Sequence, residues 1–177
     1  MSPRKALPLH LEYALLGLIR KQPLYGYEIL QNWDKNLGII WHVKPGTFYA
    51  ALNKLDQQGF LSSTLVSGEA YPARKVFAIT PEGEQAFLEW MQTPVATPRE
   101  FRQEFFARLY FFQDVSPDIV ENLLHDQTDT CLGWREQQRR PVSSTSEFER
   151  QVRSFRVRQI ESILDYLTEL SKTYLEK

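Results

Sequence analysis

Lys44-Pro45-Gly46-Thr47-Phe48-Tyr49-Ala50-Ala51-Leu52-Asn53-Lys54-Leu55 is followed by Gly59 and then by two runs of another period, Phe60–Val66 and Lys75–Thr80. Phe48, Leu52 and Leu55 repeat at helical spacing, Pro45 suits the first helical position, and Gly59 suits a C-terminal stop. The two later runs read as strands. The loop between them, Ser67–Arg74, is too long for a two-residue turn. A helix followed by a hairpin is therefore expected at the centre of the first ninety residues.

Two more helices precede it. Leu9, Leu11, Tyr13, Leu15, Leu16, Leu18 and Ile19 form an apolar stripe over about 9–21, which Pro23 stops. Leu24, Tyr27, Leu30 and Trp33 lie three apart and carry a second helix towards Gly38. After the hairpin, Thr80-Pro81-Glu82 has a capping threonine before proline and opens a helix through Phe87, Leu88, Trp90 and Met91. Three helices, two strands and a helix is the order of a winged helix-turn-helix.

Thr93–Pro98 is a proline-punctuated joint and the expected domain boundary, which gives domains of 1–92 and 93–177. Thr97-Pro98-Arg99-Glu100 has capping-box spacing. The helix it opens is rich in aromatic residues: Phe101, Phe105, Phe106, Tyr110, Phe111 and Phe112. Ser116-Pro117-Asp118 opens another helix, and a last one runs from about Glu147 to Tyr174. In that helix Ile160, Ile163, Leu167, Leu170 and Tyr174 alternate steps of three and four, the seam of a helix–helix contact, and are expected to form a dimer interface. The fold class is mainly α with a small β-hairpin: a winged helix-turn-helix domain, then an α-helical domain.

The 177 residues are 42% apolar and carry a net charge of −1, so any basic surface must be local. Split at Gln92, the first part holds 9 Lys+Arg against 8 Asp+Glu and the second 12 against 14. The absence of a spanning apolar run or secretory leader, with a single cysteine, points to a cytoplasmic protein of a reducing compartment that has no membrane partner. His10, His42, His125 and Cys131 have no ligand-like spacing, and no catalytic or phosphate-loop motif is present. No enzymatic activity, metal or cofactor is expected.

Around Phe48, Leu52 and Leu55, the outward or flanking residues are Lys44, Gly46, Thr47, Tyr49, Ala50, Asn53 and Lys54. Small and hydrogen-bonding residues near the N-terminal turn, with a cation further along, suit a helix entering a major groove. Spacing alone fits an ordinary solvated face equally well. On the hairpin, Tyr71 and Pro72 stiffen the loop, and Arg74 and Lys75 suit phosphate contact. Trp90, Met91, Phe105, Phe106 and Tyr110 form an aromatic cluster around the joint, readable as core packing or as a pocket for a small hydrophobic molecule. Arg150, Arg153, Arg156 and Arg158 read as a solvated or salt-bridged helix face.

Taken together, Tyr25-Gly26-Tyr27-Glu28-Ile29, Pro45-Gly46-Thr47-Phe48-Tyr49 with Leu52 and Leu55, Gly59-Phe60-Leu61, Pro72–Thr80 and Glu82-Gly83 resemble the PadR family of transcriptional regulators. The motifs match in order and spacing over about 9–92. The later helices are similar by pattern to the dimerisation domain of longer members. The resemblance implies a homodimeric winged-helix repressor of operator DNA, released by a small aromatic or hydrophobic effector. It carries the recognition motif to Gly46, Thr47 and Tyr49 and the wing cations to Arg74 and Lys75. Lys44 departs from the small polar residue of many members. The competing expectation is a winged-helix adaptor that binds protein and not DNA.

Overall fold

A computed structural model describes residues 11–68, 71–140 and 146–175. The chain forms two compact units divided between Trp90 and Met91. In the first, α1 (Leu11–Ile19), α2 (Gly26–Asn36) and α3 (Pro45–Gln57) pack with a sheet of β1 (Leu24–Tyr25), β2 (Leu61–Gly68) and β3 (Tyr71–Ile79). Helix α4 (Pro81–Gln92) follows. The strand order is β1-β3-β2, antiparallel throughout. The expected hairpin thus gains a third strand. Leu24 and Tyr25, whose spacing suits the start of a helix, pair instead with Phe77 and Val76. Helix α2 begins one residue later because the Glu28 carboxylate accepts the Tyr25 backbone N–H at 2.8 Å.

Leu15, Leu16, Ile29, Trp33, Phe48, Leu52 and Phe87 are fully buried and form the centre of this unit. Trp33 meets Phe48 edge-on at 6.0 Å and donates its indole N–H to the Trp41 carbonyl at 3.0 Å. That bond, with the Ile40 and Trp41 N–H groups both donating to the Leu37 carbonyl at 2.9 Å, holds the aperiodic Ile39-Ile40-Trp41 segment. Arg20 joins the end of α1 to α4, with its Nε 2.9 Å from Glu84 and its guanidinium over the Phe87 ring.

The exit from α3 is a Schellman turn. The Phe60 N–H donates to the Leu55 carbonyl at 3.0 Å and Gly59 N–H to Asp56 at 3.1 Å, with Gly59 at φ +80°. Strand β3 starts at Tyr71, within the stretch expected to be loop, so Arg74 lies in the strand opposite Val66. Pro72 is accommodated there because β1 reaches only Val76 and Phe77, leaving β3 one neighbour at its start. Residues 69 and 70 at the hairpin tip lie outside the described residues, as does the Tyr71 side chain.

The second unit contains α5 (Pro98–Tyr110), a 3-10 turn (Phe112–Asp114), α6 (Pro117–Arg139) and α7 (Glu147–Leu175). Phe101 and Phe105 stack at 4.4 Å, Phe105 meets Phe112, and Phe112 meets Tyr174 of α7. Glu104 and Arg108, both buried, pair at 3.2 Å one helical turn apart. Burial pulls the Arg108 guanidinium down to about 10, with Glu104 opposing the shift. The Val95–Ala96 part of the proline-punctuated joint is held tightly. The buried Gln127 side chain accepts the Val95 N–H at 2.6 Å and Trp134 donates to the Ala96 carbonyl at 3.1 Å.

Two glycines report on this packing in opposite directions. A Cβ on Gly83 would stand 2.1 Å from the Phe60 carbonyl oxygen, whereas one on Gly133, in the exposed middle of α6, meets nothing within 4 Å. Gly83→Ala is expected to lower stability by about 1–3 kcal/mol through forced displacement. Gly133→Ala is expected to raise it by about 1 kcal/mol through helix propensity. Urea denaturation followed by circular dichroism checks both, and equal midpoints for the two variants would contradict the assignment.

Candidate nucleic-acid interface

Helix α3 buries Phe48, Ala51, Leu52 and Leu55 and turns Gly46, Thr47, Ala50 and Asn53 outwards. The exposed four recur at steps of one, three and three, so they form one stripe along the helix. Pro45 at the first helical position and extended backbone at Lys44 (φ −66°, ψ 140°) start it. The Lys44 side chain makes no capping bond and is exposed beside the first turn. Tyr49 is half-exposed (38%), with its ring laid across the start of α2: its Cε1 lies 3.0 Å from where a Gly26 Cβ would stand.

The cations divide by environment. Lys54, expected to face a partner, donates to the buried Glu12 carboxylate at 2.7 Å and so ties α3 to α1. Lys75 lies 3.2 Å from Asp56, whose carboxylate also accepts the Ser63 hydroxyl at 2.6 Å. The Ser63 hydrogen bond first, then Lys75, hold Asp56 below the ordinary carboxylate range against the opposing effect of burial. This network joins the end of α3 to β2 and β3. Arg74 is exposed on β3, with its guanidinium 5.7 Å from the Tyr27 ring centroid.

A groove of roughly 560 Å³ lies between these elements, lined by Tyr49 and Asn53 of α3, Arg74, Lys75 and Phe77 of β3, and Tyr25, Gly26 and Tyr27. The last three are a motif to which the sequence alone gives no site role. Their Tyr-Gly-Tyr pattern is the available signal, but only the β1–β3 pairing brings them beside the hairpin.

The aromatic residues around the joint have separate environments. Trp90 stacks on Tyr13 at 6.0 Å and lies against Phe87 in the core of the first unit. Met91 and Phe105 are fully buried, and Tyr110 packs edge-on against Phe111. Phe106 meets Tyr166 and lines an apolar cavity of roughly 440 Å³ within the second unit, with Pro98, Phe101, Phe155 and Ile163.

Of the expected dimer seam, Ile160, Leu167 and Leu170 are buried within this single chain, Ile163 is half-buried, and Tyr174 packs on Phe112 while 38% exposed. Ile160, Leu167 and Leu170 are therefore covered within one chain, while Ile163 and Tyr174 keep exposed surface. The large exposed apolar residues of α7 are instead Phe148 at 77% and Phe155 at 67%, one heptad apart, with Leu175 near its end. On the arginine face, Arg150 pairs with Glu147, and Arg153 donates to the Gln138 carbonyl at 3.3 Å.

Among the described residues, no group of three or more His, Cys, Asp or Glu side chains is arranged to hold a metal ion. No helix there is long and apolar enough to cross a membrane.

A three-helix core with an exposed third helix and a β-hairpin beside it defines a winged helix-turn-helix. Residues 15–89 match the transcriptional regulator PadR-like family. It is 32% identical over 118 residues to the "Negative transcriptional regulator PadR" of Bacillus subtilis (strain 168), covering 66% of this chain. Identity is 26% over 92 residues, or 52% of this chain, to the "Probable transcriptional regulator Rv1176c" of Mycobacterium tuberculosis (strain ATCC 25618 / H37Rv). The chain spans 64% and 49% of the lengths of these two relatives. A crystal structure of Bacillus subtilis PadR in complex with operator DNA is similar at 23% identity and a TM-score of 0.48, over 93% of this chain and 98% of that one.

The Lys54–Glu12 contact makes Lys54 a structural cation. Lys54→Met is expected to lower stability by about 1–2 kcal/mol, because it leaves a buried carboxylate without its ammonium partner. The check is a urea denaturation midpoint, and a midpoint equal to that of the unmodified chain would return Lys54 to the solvated face.

Proposed function

We propose that the chain is a sequence-specific DNA-binding transcriptional regulator that acts as a homodimeric repressor and is released by a small aromatic or hydrophobic effector. The observation that carries this reading is the exposed α3 stripe of Gly46, Thr47, Ala50 and Asn53, flanked by Arg74 and Lys75 on one edge of a PadR-like domain. The name of the Bacillus subtilis relative supports repression over activation. In this reading α3 enters a major groove, with Thr47, Tyr49 and Asn53 meeting base edges while Lys44, Arg74 and Lys75 hold phosphates. Tyr71, at the start of β3, is proposed as a further backbone contact.

Base-reading and phosphate-holding residues separate in the response to salt. Replacing Arg74 and Lys75 by glutamine is expected to weaken operator and random duplex alike and to flatten the log–log salt dependence by about 0.9 for each phosphate no longer neutralised. Thr47→Ala and Tyr49→Phe are expected to cost about 1–3 kcal/mol on the operator and much less on random DNA. Fluorescence anisotropy on the duplex upstream of the gene, at several salt concentrations, makes the measurement. Equal losses on both duplexes for both classes would remove α3 from sequence reading, and no binding to either would favour the protein-binding adaptor.

Dimerisation is proposed through the second unit, with Phe148 and Phe155 as the apolar contacts in place of the buried seam residues. Two recognition helices would then meet DNA about one turn, roughly 34 Å, apart. Phe148→Glu with Phe155→Glu is expected to give monomers in analytical ultracentrifugation and a large loss of operator affinity; a dimer of unchanged strength would contradict the assignment. For the effector, Phe106 is the candidate that borders an open apolar cavity, of a size suited to a small aromatic molecule.

A further inference from the structure

The second unit holds a cleft of roughly 690 Å³ between the start of α5, the end of α6 and the first half of α7. Three arginines line it: Arg99 and Arg102, about one turn apart on α5, and Arg156 on α7. The one carboxylate of the lining belongs to Glu100, which accepts the Thr97 hydroxyl at 2.8 Å. The three guanidiniums form no ion pair or hydrogen bond with any described residue, and in this they differ from their neighbours. Arg139 pairs with Glu161, Arg150 with Glu147, and Arg153 donates to the Gln138 carbonyl. Like charges gathered around one cleft repel each other, and an anion seated between them turns that repulsion into attraction.

The charge and the other walls narrow what the cleft accepts. Three arginines less one glutamate leave +2, which balances one phosphate monoester of about −1.5 to −2 at neutral pH. Trp134 is half-buried, and its indole N–H is held by the Ala96 carbonyl at 3.1 Å, so its ring is a fixed wall. Phe155 adds a second aromatic surface, 67% exposed. Gln137, Gln138 and Gln159 contribute amides that both donate and accept. Inorganic phosphate would leave the rings uncovered, and an apolar acid would leave the amides unused. A planar ring with donors and acceptors on its edge, joined to one phosphate, engages all three sets of groups.

We propose that this cleft binds a nucleoside monophosphate, with Arg99, Arg102 and Arg156 on the phosphate and Trp134 against the base. The cleft lies within the second unit and adjoins the apolar cavity bordered by Phe106, with which it shares Arg102 and Phe155. It makes no use of DNA binding, so neither reading falls with the other.

The test is isothermal titration calorimetry of the full chain with the monophosphates of adenosine, guanosine, cytidine and uridine. The four nucleosides and inorganic phosphate are titrated as the separate halves. At least one monophosphate is expected to bind roughly tenfold or more tightly than either of its halves. For that nucleotide, Arg102→Gln and Arg156→Gln are each expected to lower affinity by roughly tenfold, the loss of one charged hydrogen bond. Arg158→Gln, on α7 but outside the lining, is expected to stay within about twofold of the unmodified chain. Trp134→Leu is expected to lose roughly tenfold and Trp134→Phe about threefold, both with unchanged affinity for inorganic phosphate.

Circular dichroism checks the fold of each variant, and the exposed arginines decide the matter if Trp134→Leu does not fold. Equal affinity for inorganic phosphate would reduce the cleft to an unspecific cationic patch. Affinity unchanged by both Arg102→Gln and Arg156→Gln would place the nucleotide elsewhere on the chain. Affinity that falls as the protein concentration is raised would give the cleft to a second copy of the chain. Each of these results, or no binding of any monophosphate, overturns the proposal and leaves DNA binding as it stands.

Discussion

The Phe60 carbonyl is the point on which the geometry of the first unit depends. It accepts the Thr80 N–H at 3.1 Å and leaves a Gly83 side chain no space. The Thr80 hydroxyl in turn donates to the Gly59 carbonyl at 2.7 Å and accepts the Gly83 N–H at 3.1 Å. Four elements end or begin within this knot: α3, β2, β3 and α4. Because Gly59 adopts a left-handed conformation there, the chain leaves α3 and enters the hairpin without a longer loop. The angle between an exposed helix and its wing thus depends on three hydrogen bonds and two glycines. A domain that reads a surface through a helix and a hairpin together needs that angle held.

Charge is distributed on the same scale. A net charge of −1 provides no long-range attraction for a polyanion, so the site relies on where individual cations stand. Lys54 is consumed by Glu12 and Lys75 is shared with Asp56. These pairs brace α3 against α1 and against the sheet, which positions the exposed stripe while reducing the charge it presents. Lys44 and Arg74 are both exposed, one beside the first turn of α3 and the other on β3.

The amphipathic order of elements is legible in the sequence because helical and strand periods are local properties. Phe48, Leu52 and Leu55 are buried as their spacing implies, and the glycine stop after α3 is present. What escapes has a long-range cause in each case. Leu24 and Tyr25 continue the helical spacing of α2 and become a strand only because β3, fifty residues away, supplies their partners. Lys54 looks like a surface cation until Glu12 is brought beneath it. The seam of α7 shows that a helix has an apolar stripe without telling which neighbour covers it: in Ile160 and Leu167 the cover comes from the same chain. Tyr27 belongs to a motif but has no role in the sequence alone, since its relation to Arg74 is created by the sheet.

Helix α7 also contains the physical case for assembly. Its buried residues, Ile160, Leu167 and Leu170, begin only at its middle, and none of 147–159 is buried. Yet this N-terminal half carries Phe148 and Phe155, two of the most exposed apolar side chains described, in a stretch otherwise rich in Arg and Glu. Burying a phenylalanine stabilises by about 1.5–3 kcal/mol, so two left in water on one heptad forgo a substantial gain. A charged helix has no need of them for solubility or for its own folding. Their presence at a spacing of seven is the pattern expected where a second helix lies alongside, with the flanking charges forming a polar border around the apolar contact.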